Sequence, residues 1–370
     1  MRILFPLVGD SIGGSHRSTV LLIKQLQKSK INIEVLIHQK KSFFINFLEE
    51  HDIAYHYLEV NELAGETPKV YEIIFAIFRN YFLFRKFLKK KKIDIVHGND
   101  LRINLSWSLI TILSGRKYVW HQRTLMSDSI IWNLINFMSS HFIAISNFVM
   151  HSLPSIISDS RKSVVNNPFS REHHFDNTMK GNLIHELGIN DGSKIVCYVG
   201  KLVKTKGIIE LIESMQLVNQ YIPSVLIVAG SGEKKFMSKL GQIILKKNLQ
   251  KKIIFLGFVN EPEKYIAISD LLVAPGKNEG FGRTIIEAML VKTPVIASKS
   301  GAHTEIIENN FNGLLYEHGN RNDLYEKINT LLSSEVLYNE VQKNAYDFVN
   351  SSYTEKEHLV SVMSIYKKLL

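Results

Sequence analysis

The sequence predicts an α/β protein built on two doubly wound parallel sheets, and three observations lead there. Short apolar runs alternate with helix-length segments from residue 2 onward, the pattern of parallel strands joined by crossover helices. Glycine-rich turns follow many of these runs, where an open parallel sheet takes its ligands. The pattern also restarts near residue 168 of a 370-residue chain that is too long for one ordinary core.

The first apolar run covers residues 2–8 and leads into Gly9 to Ser18, with Gly13-Gly14 inside it, and then an amphipathic segment from Thr19 to Leu26. This turn lacks the G-x-G-x-x-G spacing of a dinucleotide site, which disfavours a dehydrogenase. Further strands are expected at Ile33–Ile37, Ile93–His97, Lys117–His121 and Phe142–Ile145. Three polar clusters fall at strand ends: His97-Gly98-Asn99-Asp100, His121-Gln122-Arg123-Thr124 and Ser146-Asn147, with Ser146 read first as a helix N-cap. From Ser129 to Ser158 there is no Asp, Glu, Lys or Arg, yet the stretch is punctuated by Asn, Ser, His and Pro154. Those residues are costly in hydrocarbon, so it reads as helix, strand, helix. Ser163–Pro168 closes the first domain, and the polar stretch 169–181 is expected to be a linker.

In the second half, strands are expected at Ile195–Gly200, Val225–Ala229, Ile253–Leu256, Leu271–Pro275 and Pro294–Ala297. The turns after them carry Lys201, Lys206 and Gly207; Gly230-Ser231-Gly232-Glu233; Gly257-Phe258-Val259; and Ser300-Gly301-Ala302-His303. The central turn reads Asn278-Glu279-Gly280-Phe281-Gly282-Arg283-Thr284-Ile285-Ile286-Glu287-Ala288-Met289-Leu290. It is a strand-to-helix turn in which glycines let the backbone approach an anion and the first helical N–H groups point at it. Each acid also has a structural reading. Thr284 and Glu287 have the spacing of a capping box, and Glu279 can be a solvated loop acid.

The whole string resembles the E-x7-E signature of retaining glycosyltransferases of the GT-B fold, family 4. That resemblance implies two Rossmann-like doubly wound domains facing a cleft. An acceptor-side domain over 1–167 would take back the C-terminal helix 355–370, and a donor-binding domain would cover 168–354. It puts Glu279 beside the donor sugar and Glu287 on the ribose hydroxyls. Gly280, Phe281, Gly282, Arg283 and Thr284 would hold the sugar and diphosphate. Ile195–Gly207 resembles the family's G-R-L-x-x-x-K-G segment, whose two cations clamp the diphosphate. Lys206 fits that role, while Lys201 replaces an arginine and loses its bidentate fork. Gly14 is similar to the family's phosphate-approaching loop, Gly230 to its G-x-G-x-E segment, Phe258 to the place where the base rests, and His121 to a histidine that reaches the donor sugar. Glu279, His121 and Lys206 are thus the expected catalytic residues.

The resemblance implies a retaining transfer from a UDP- or GDP-sugar to a hydroxyl of a glycan or lipid-linked acceptor, in cell-surface polysaccharide or lipopolysaccharide synthesis. No Asp-x-Asp occurs and no His or Asp cluster has metal-ligand spacing, so the expectation is a metal-independent reaction with no cofactor beyond the nucleotide-sugar co-substrate. A nucleotide-sugar epimerase would use the same glycine turns. Nucleic-acid binding is suggested by charge alone and leaves those turns unexplained, so no nucleic-acid partner is expected.

Composition agrees with a globular cytoplasmic protein: 45% hydrophobic, 22% charged, and one cysteine, Cys197, inside an apolar run. The net charge of +10 favours an anionic partner. Tyr81-Phe82-Leu83-Phe84-Arg85-Lys86-Phe87-Leu88-Lys89-Lys90-Lys91-Lys92 is either a solvated helix end or a peripheral contact with the inner face of an anionic membrane.

Overall fold

The computed structural model describes residues 1–60, 62–65, 69–127, 130–170 and 177–370. Its contacts divide into two units, Met1–Ser170 with Tyr353–Leu370, and Arg171–Ser352. Residues 171–176 of the expected linker lie outside the described residues, and from Asn177 the chain is already helical, through Glu186.

The first unit holds a seven-stranded sheet: β1 Arg2–Leu7, β2 Asn32–Ile37, β3 His56–Tyr57, β4 Ile95–Gly98, β5 Lys117–Gln122, β6 His141–Ala144 and β7 Lys162–Val164. The order is β3-β2-β1-β4-β5-β6-β7 with every pair parallel, so the winding reverses between β1 and β4. Alternation along β1 feeds two cores. Leu4 faces one with Val96, Trp107 and Trp120, and Ile3, Phe5 and Leu7 face the other with Ile23, Val362 and Tyr366. Burial on both faces is what a doubly wound parallel sheet requires. Pro6 is tolerated in this central strand because pairing with β4 ends at Leu4, so its missing N–H leaves no ladder position open on that side.

The uncharged stretch forms a 3₁₀ helix Ile130–Phe137, strand β6 and a short helix Asn147–His151, with Ser129 outside the described residues. Ser146 caps that helix, its Oγ accepting from the Val149 N–H at 3.1 Å. The C-terminal helix Glu355–Leu369 belongs to this unit. Thr354 and Glu357 open it with a capping box, and Phe169 N–H donates to the Tyr353 carbonyl at 3.1 Å, so the chain leaves and re-enters the unit side by side.

The second unit holds β8 Lys194–Val199, β9 Ser224–Ala229, β10 Ile253–Gly257, β11 Leu271–Ala274, β12 Val295–Ser298 and β13 Leu314–Tyr316 in the order β10-β9-β8-β11-β12-β13, again all parallel. Its winding reverses between β8 and β11. Strands β3 and β13, of two and three residues, are too short to produce a period-2 pattern and were not expected. Among the described residues no helix is long and apolar enough to cross a membrane.

Trp107 anchors the first unit. It is fully buried, stacks on Phe84 at 3.9 Å between ring centroids, and donates its indole N–H to His38 Nε2 at 2.9 Å. Trp107→Ala should lower unfolding free energy by about 3–5 kcal/mol in urea titration, because the void and the lost hydrogen bond add. A loss below about 1 kcal/mol would show that this contact does not anchor the core.

Candidate functional site

The predicted residues of the second unit gather at the carboxyl ends of its strands, on loops stitched to one another. Leu202 N–H donates to Ser231 O at 2.8 Å, Gly230 N–H to Gly257 O at 2.7 Å, and Lys277 N–H to Thr205 O at 2.9 Å. Gly230 is needed there, since a Cβ would collide with the Gly200 carbonyl oxygen. Lys201 is exposed at the start of its loop, its carbonyl accepting from Tyr198 Oη at 3.1 Å, and Phe258 stands 70% exposed.

Glu279 and Lys206 meet directly, their carboxylate and ammonium forming an ion pair between the loops after β11 and β8. The backbone around Glu279 is held just as closely. Its carbonyl accepts from Ala302 N–H at 2.9 Å, and Asn278 N–H donates to Ser300 Oγ at 3.0 Å. Gly301 is left-handed at φ +62, and a Cβ there would stand 2.7 Å from the Glu279 nitrogen. Loops from three strands therefore fix one carboxylate.

The helix after the turn runs from Arg283 to Leu290 with left-handed Gly282, φ 104, as its N-cap. That overturns the capping-box reading of Thr284 and Glu287, because Thr284 lies one residue inside the helix. Glu287 pairs instead with Arg283, four residues earlier, at 3.0 Å from Nη2 and 3.2 Å from Nε, both on Oε1. Phe281 is buried while Gly280 and Gly282 stay partly open, so the turn presents backbone. Beneath it lies His303, to which sequence reasoning gave no role. It is buried, with Nδ1 3.2 Å from both Ser298 Oγ and Ser298 O, and a Cβ on Gly282 would meet it at 3.2 Å. Burial lowers its pKa and the nearby Glu279 charge opposes that.

Gly14 and His121 belong to the first unit. Gly14 opens the helix Gly14–Lys28, and the loop before it is held by a bidentate Asp10–Arg102 pair at 2.6 and 3.1 Å. The Arg102 guanidinium keeps the Asp10 carboxyl below its usual range. His121 is buried at the end of β5, its Nδ1 3.1 Å from His97 Nε2 and 3.4 Å from Arg123 Nη2. Arg123 also binds Asn99 at 2.6 Å and Asn167. From the C-terminal helix, Tyr366 Oη reaches His97 Nδ1 at 2.5 Å and the His358 ring stacks beside His121. The strand-end polar clusters of the sequence held His97, Asn99 and Arg123. Nothing local marked His358, whose partner Asn166 is 192 residues away in the chain.

The chain matches the description "Glycosyl transferases group 1" over residues 179–348 and "Glycosyltransferase Family 4" over residues 12–172. It is 28% identical over 245 residues to an uncharacterized glycosyltransferase of Methanocaldococcus jannaschii, a match covering 63% of this chain and only 61% of that relative. It is 25% identical over 302 residues to the UDP-Gal:alpha-D-GlcNAc-diphosphoundecaprenol alpha-1,3-galactosyltransferase of Escherichia coli, covering 76% and 77% of the two chains. In three dimensions it resembles the Anabaena HepE protein solved with UDP and glucose, with a TM-score of 0.86 over the whole of both chains at 21% identity, a likeness of fold.

Burial lowers the pKa of His97 and His121 well below 6.5 and that of His358 to about 4, with the Arg123 charge acting in the same direction on each. Below pH 6.5 the unfolded chain therefore binds protons that the folded chain does not, and stability falls. The urea midpoint should be level above about pH 6.5 and drop progressively towards pH 4. A midpoint unchanged over that window would contradict neutral burial of the cluster.

Proposed function

Since this chain belongs to the group 1, family 4 glycosyltransferases of the GT-B fold, we propose that it is a retaining, metal-independent transferase. Its donor is a UDP- or GDP-sugar, and its acceptor is a hydroxyl of a glycan or lipid-linked molecule in cell-surface polysaccharide or lipopolysaccharide synthesis. The carrying observation is the Lys206–Glu279 pair set among glycine turns at the point where the second sheet reverses its winding.

In this reading the bond from the anomeric carbon to the diphosphate breaks as the acceptor oxygen attacks from the same face. The acceptor proton passes to the departing phosphate oxygen. Lys206, Lys201 and the turn amides of Phe281 to Arg283 neutralise the charge developing on the diphosphate. Glu279 orients the sugar, and His121 keeps the catalytic role that the family resemblance assigns it. Glu287, steadied through Oε1 by Arg283, takes the ribose hydroxyls, and Phe258 with Gly230 borders the base. The UDP bound in the HepE structure and the UDP-sugar named for the E. coli relative support a UDP donor. The lipid diphosphate named for the latter supports a lipid-linked acceptor.

The proposed place of work is the surface of an anionic membrane, reached through the helix Val70–Lys90. Within its basic stretch Phe84 and Leu88 supply no apolar contact, because they are buried in the core. The exposed apolar stripe lies earlier, at Tyr71, Phe75, Phe78 and Phe82, each between 63% and 79% exposed and spaced as one helix face. Arg85, Lys86, Lys89 and Lys90 follow it, exposed, so ring insertion and attraction to anionic headgroups come from one element.

Glu279→Gln should keep the fold and abolish transfer, and Lys206→Ala should lower kcat/KM on the order of 10²–10³, with EDTA having no effect. Donor choice is read by a thermal-shift screen of UDP, GDP and their sugars. Near-wild-type turnover by Glu279→Gln would refute the site, and strict need for added Mg²⁺ or Mn²⁺ would refute the metal-free step. Product formed from the nucleotide sugar without any acceptor would mark an epimerase instead.

For the membrane contact, co-sedimentation with phosphatidylglycerol-containing vesicles should fall in high salt and in a variant carrying Ser at Phe75, Phe78 and Phe82. Wild type that stays in the supernatant at low salt would rule the surface out.

A further inference from the structure

The helix Lys234–Lys246, between β9 and the edge strand β10, carries charge that the rest of its unit does not explain. From Lys234 to Lys252 the chain holds seven lysines and no Asp or Glu, whereas acids outnumber cations over the rest of Arg171–Ser352. Elsewhere in the unit cations face acids: Lys194 pairs with Asp270 at 2.9 Å, Lys299 with Glu317 at 3.1 Å and Arg321 with Glu213 at 3.7 Å. Among the described residues none of the seven lysines has an ion-pair partner, and Lys247 alone makes a side-chain hydrogen bond, to Gln216 Oε1 at 2.8 Å. Helix stability does not account for them either. Lys246 in the last turn is favoured by the helix dipole, but Lys234 and Lys235 occupy the first turn, where a cation opposes it, and Glu233 at the N-cap makes no side-chain hydrogen bond to the helix.

The inner side of the helix is committed to the fold: Phe236, Met237, Leu240, Ile243 and Ile244 pack into the core of the second unit. On the outer side Lys235, Lys239, Gln242 and Lys246 recur every three or four residues, which sets them in one line along the axis over about 16 Å. All four are exposed, Leu245 stands 60% exposed beside them, and Lys251 lies exposed beyond the helix end. A row of ammonium groups on a convex ridge fits an anionic plane. A nucleic-acid strand is gripped in a groove and stacks its bases on aromatic rings, and the outer face of this helix offers neither. With its apolar side in the core the helix cannot sink among acyl chains as a free amphipathic helix does, so the layer it meets is that of the headgroups.

We propose that the second unit has a docking surface of its own for an anionic lipid headgroup layer, formed by the outer face of the helix Lys234–Lys246 together with Lys251. It uses a different element from the helix Val70–Lys90 and no residue of the candidate site, so it does not rest on the transferase reading.

The test uses the full chain with Gln242→Cys carrying an environment-sensitive fluorophore, the native Cys197 being buried. With vesicles of phosphatidylglycerol and phosphatidylcholine the probe should shift to the blue, be quenched by lipid spin-labelled at the headgroup, and return to its free spectrum in high salt. Vesicles of phosphatidylcholine alone should leave it unchanged. The response should persist in the chain carrying Ser at Phe75, Phe78 and Phe82, which separates this surface from that of the first unit. Gln at Lys235, Lys239, Lys246 and Lys251 should lower binding to the anionic vesicles on the order of 10²-fold, at about fivefold per lysine. Gln at Lys180, Lys292, Lys299 and Lys343, the same loss of charge elsewhere in the unit, should lower it far less, with circular dichroism checking that both variants are folded. A probe that stays unshifted while the chain sediments with vesicles would overturn the surface and leave the membrane to the first unit. Equal losses in the two four-lysine variants would reduce the effect to net charge and overturn it as well. A probe that shifts with duplex DNA and not with vesicles would assign the face to nucleic acid instead. Turnover enters none of these readouts, so the transferase reading stands or falls apart from them.

Discussion

The ion pair between Lys206 and Glu279 joins the two loops that rise where the second sheet reverses its winding, and the candidate site is arranged around it. Its worth is positional. Lys206 is 37% exposed at its side chain, and a pair so open to water contributes about 0–1 kcal/mol to stability. What fixes Glu279 is the backbone lattice around it, from Lys277 to Thr205, Asn278 to Ser300 and Ala302 to Glu279, with Gly301 in the one conformation that leaves room. Rigid loops carry the charges, and the charges need only face each other.

The same four-residue pattern, threonine followed three residues later by glutamate, occurs at two helix starts with different outcomes. At Thr354–Glu357 it forms a reciprocal capping box. At Thr284–Glu287 left-handed Gly282 has already taken the cap, and the glutamate turns to Arg283. Glycine at the cap position supplies no side-chain hydrogen bond to the first turn of the helix. The threonine–glutamate motif is thus displaced where a left-handed glycine opens the helix.

The helix Val70–Lys90 shows how one element serves two masters. Its inward face, with Ala76, Ile77, Phe84 and Leu88, builds the core around Trp107, and its outward face carries aromatics followed by cations. Composition along the sequence mixes the two faces. Only the helical phase, fixed by the Phe84–Trp107 stack, separates core aromatics from exposed ones.

The sequence by itself determined the two doubly wound sheets, the strand-end glycine turns and the acidic and basic residues of the second unit, because each is written in a short window. Apolar runs of four to six residues set the strands, and a glycine where backbone meets backbone is a local requirement. Strands β3 and β13, of two and three residues, left no such trace. What only tertiary structure decided is which distant residues share a site. Lys206 and Glu279 are 73 residues apart, and His97 and Tyr366 are 269 apart. Parallel pairing aligns the strand ends that carry the first pair, and return of the C-terminal helix to the first sheet brings Tyr366 and His358 against His97 and His121. No window of sequence contains that cluster, because these four residues come from β4, β5 and the C-terminal helix.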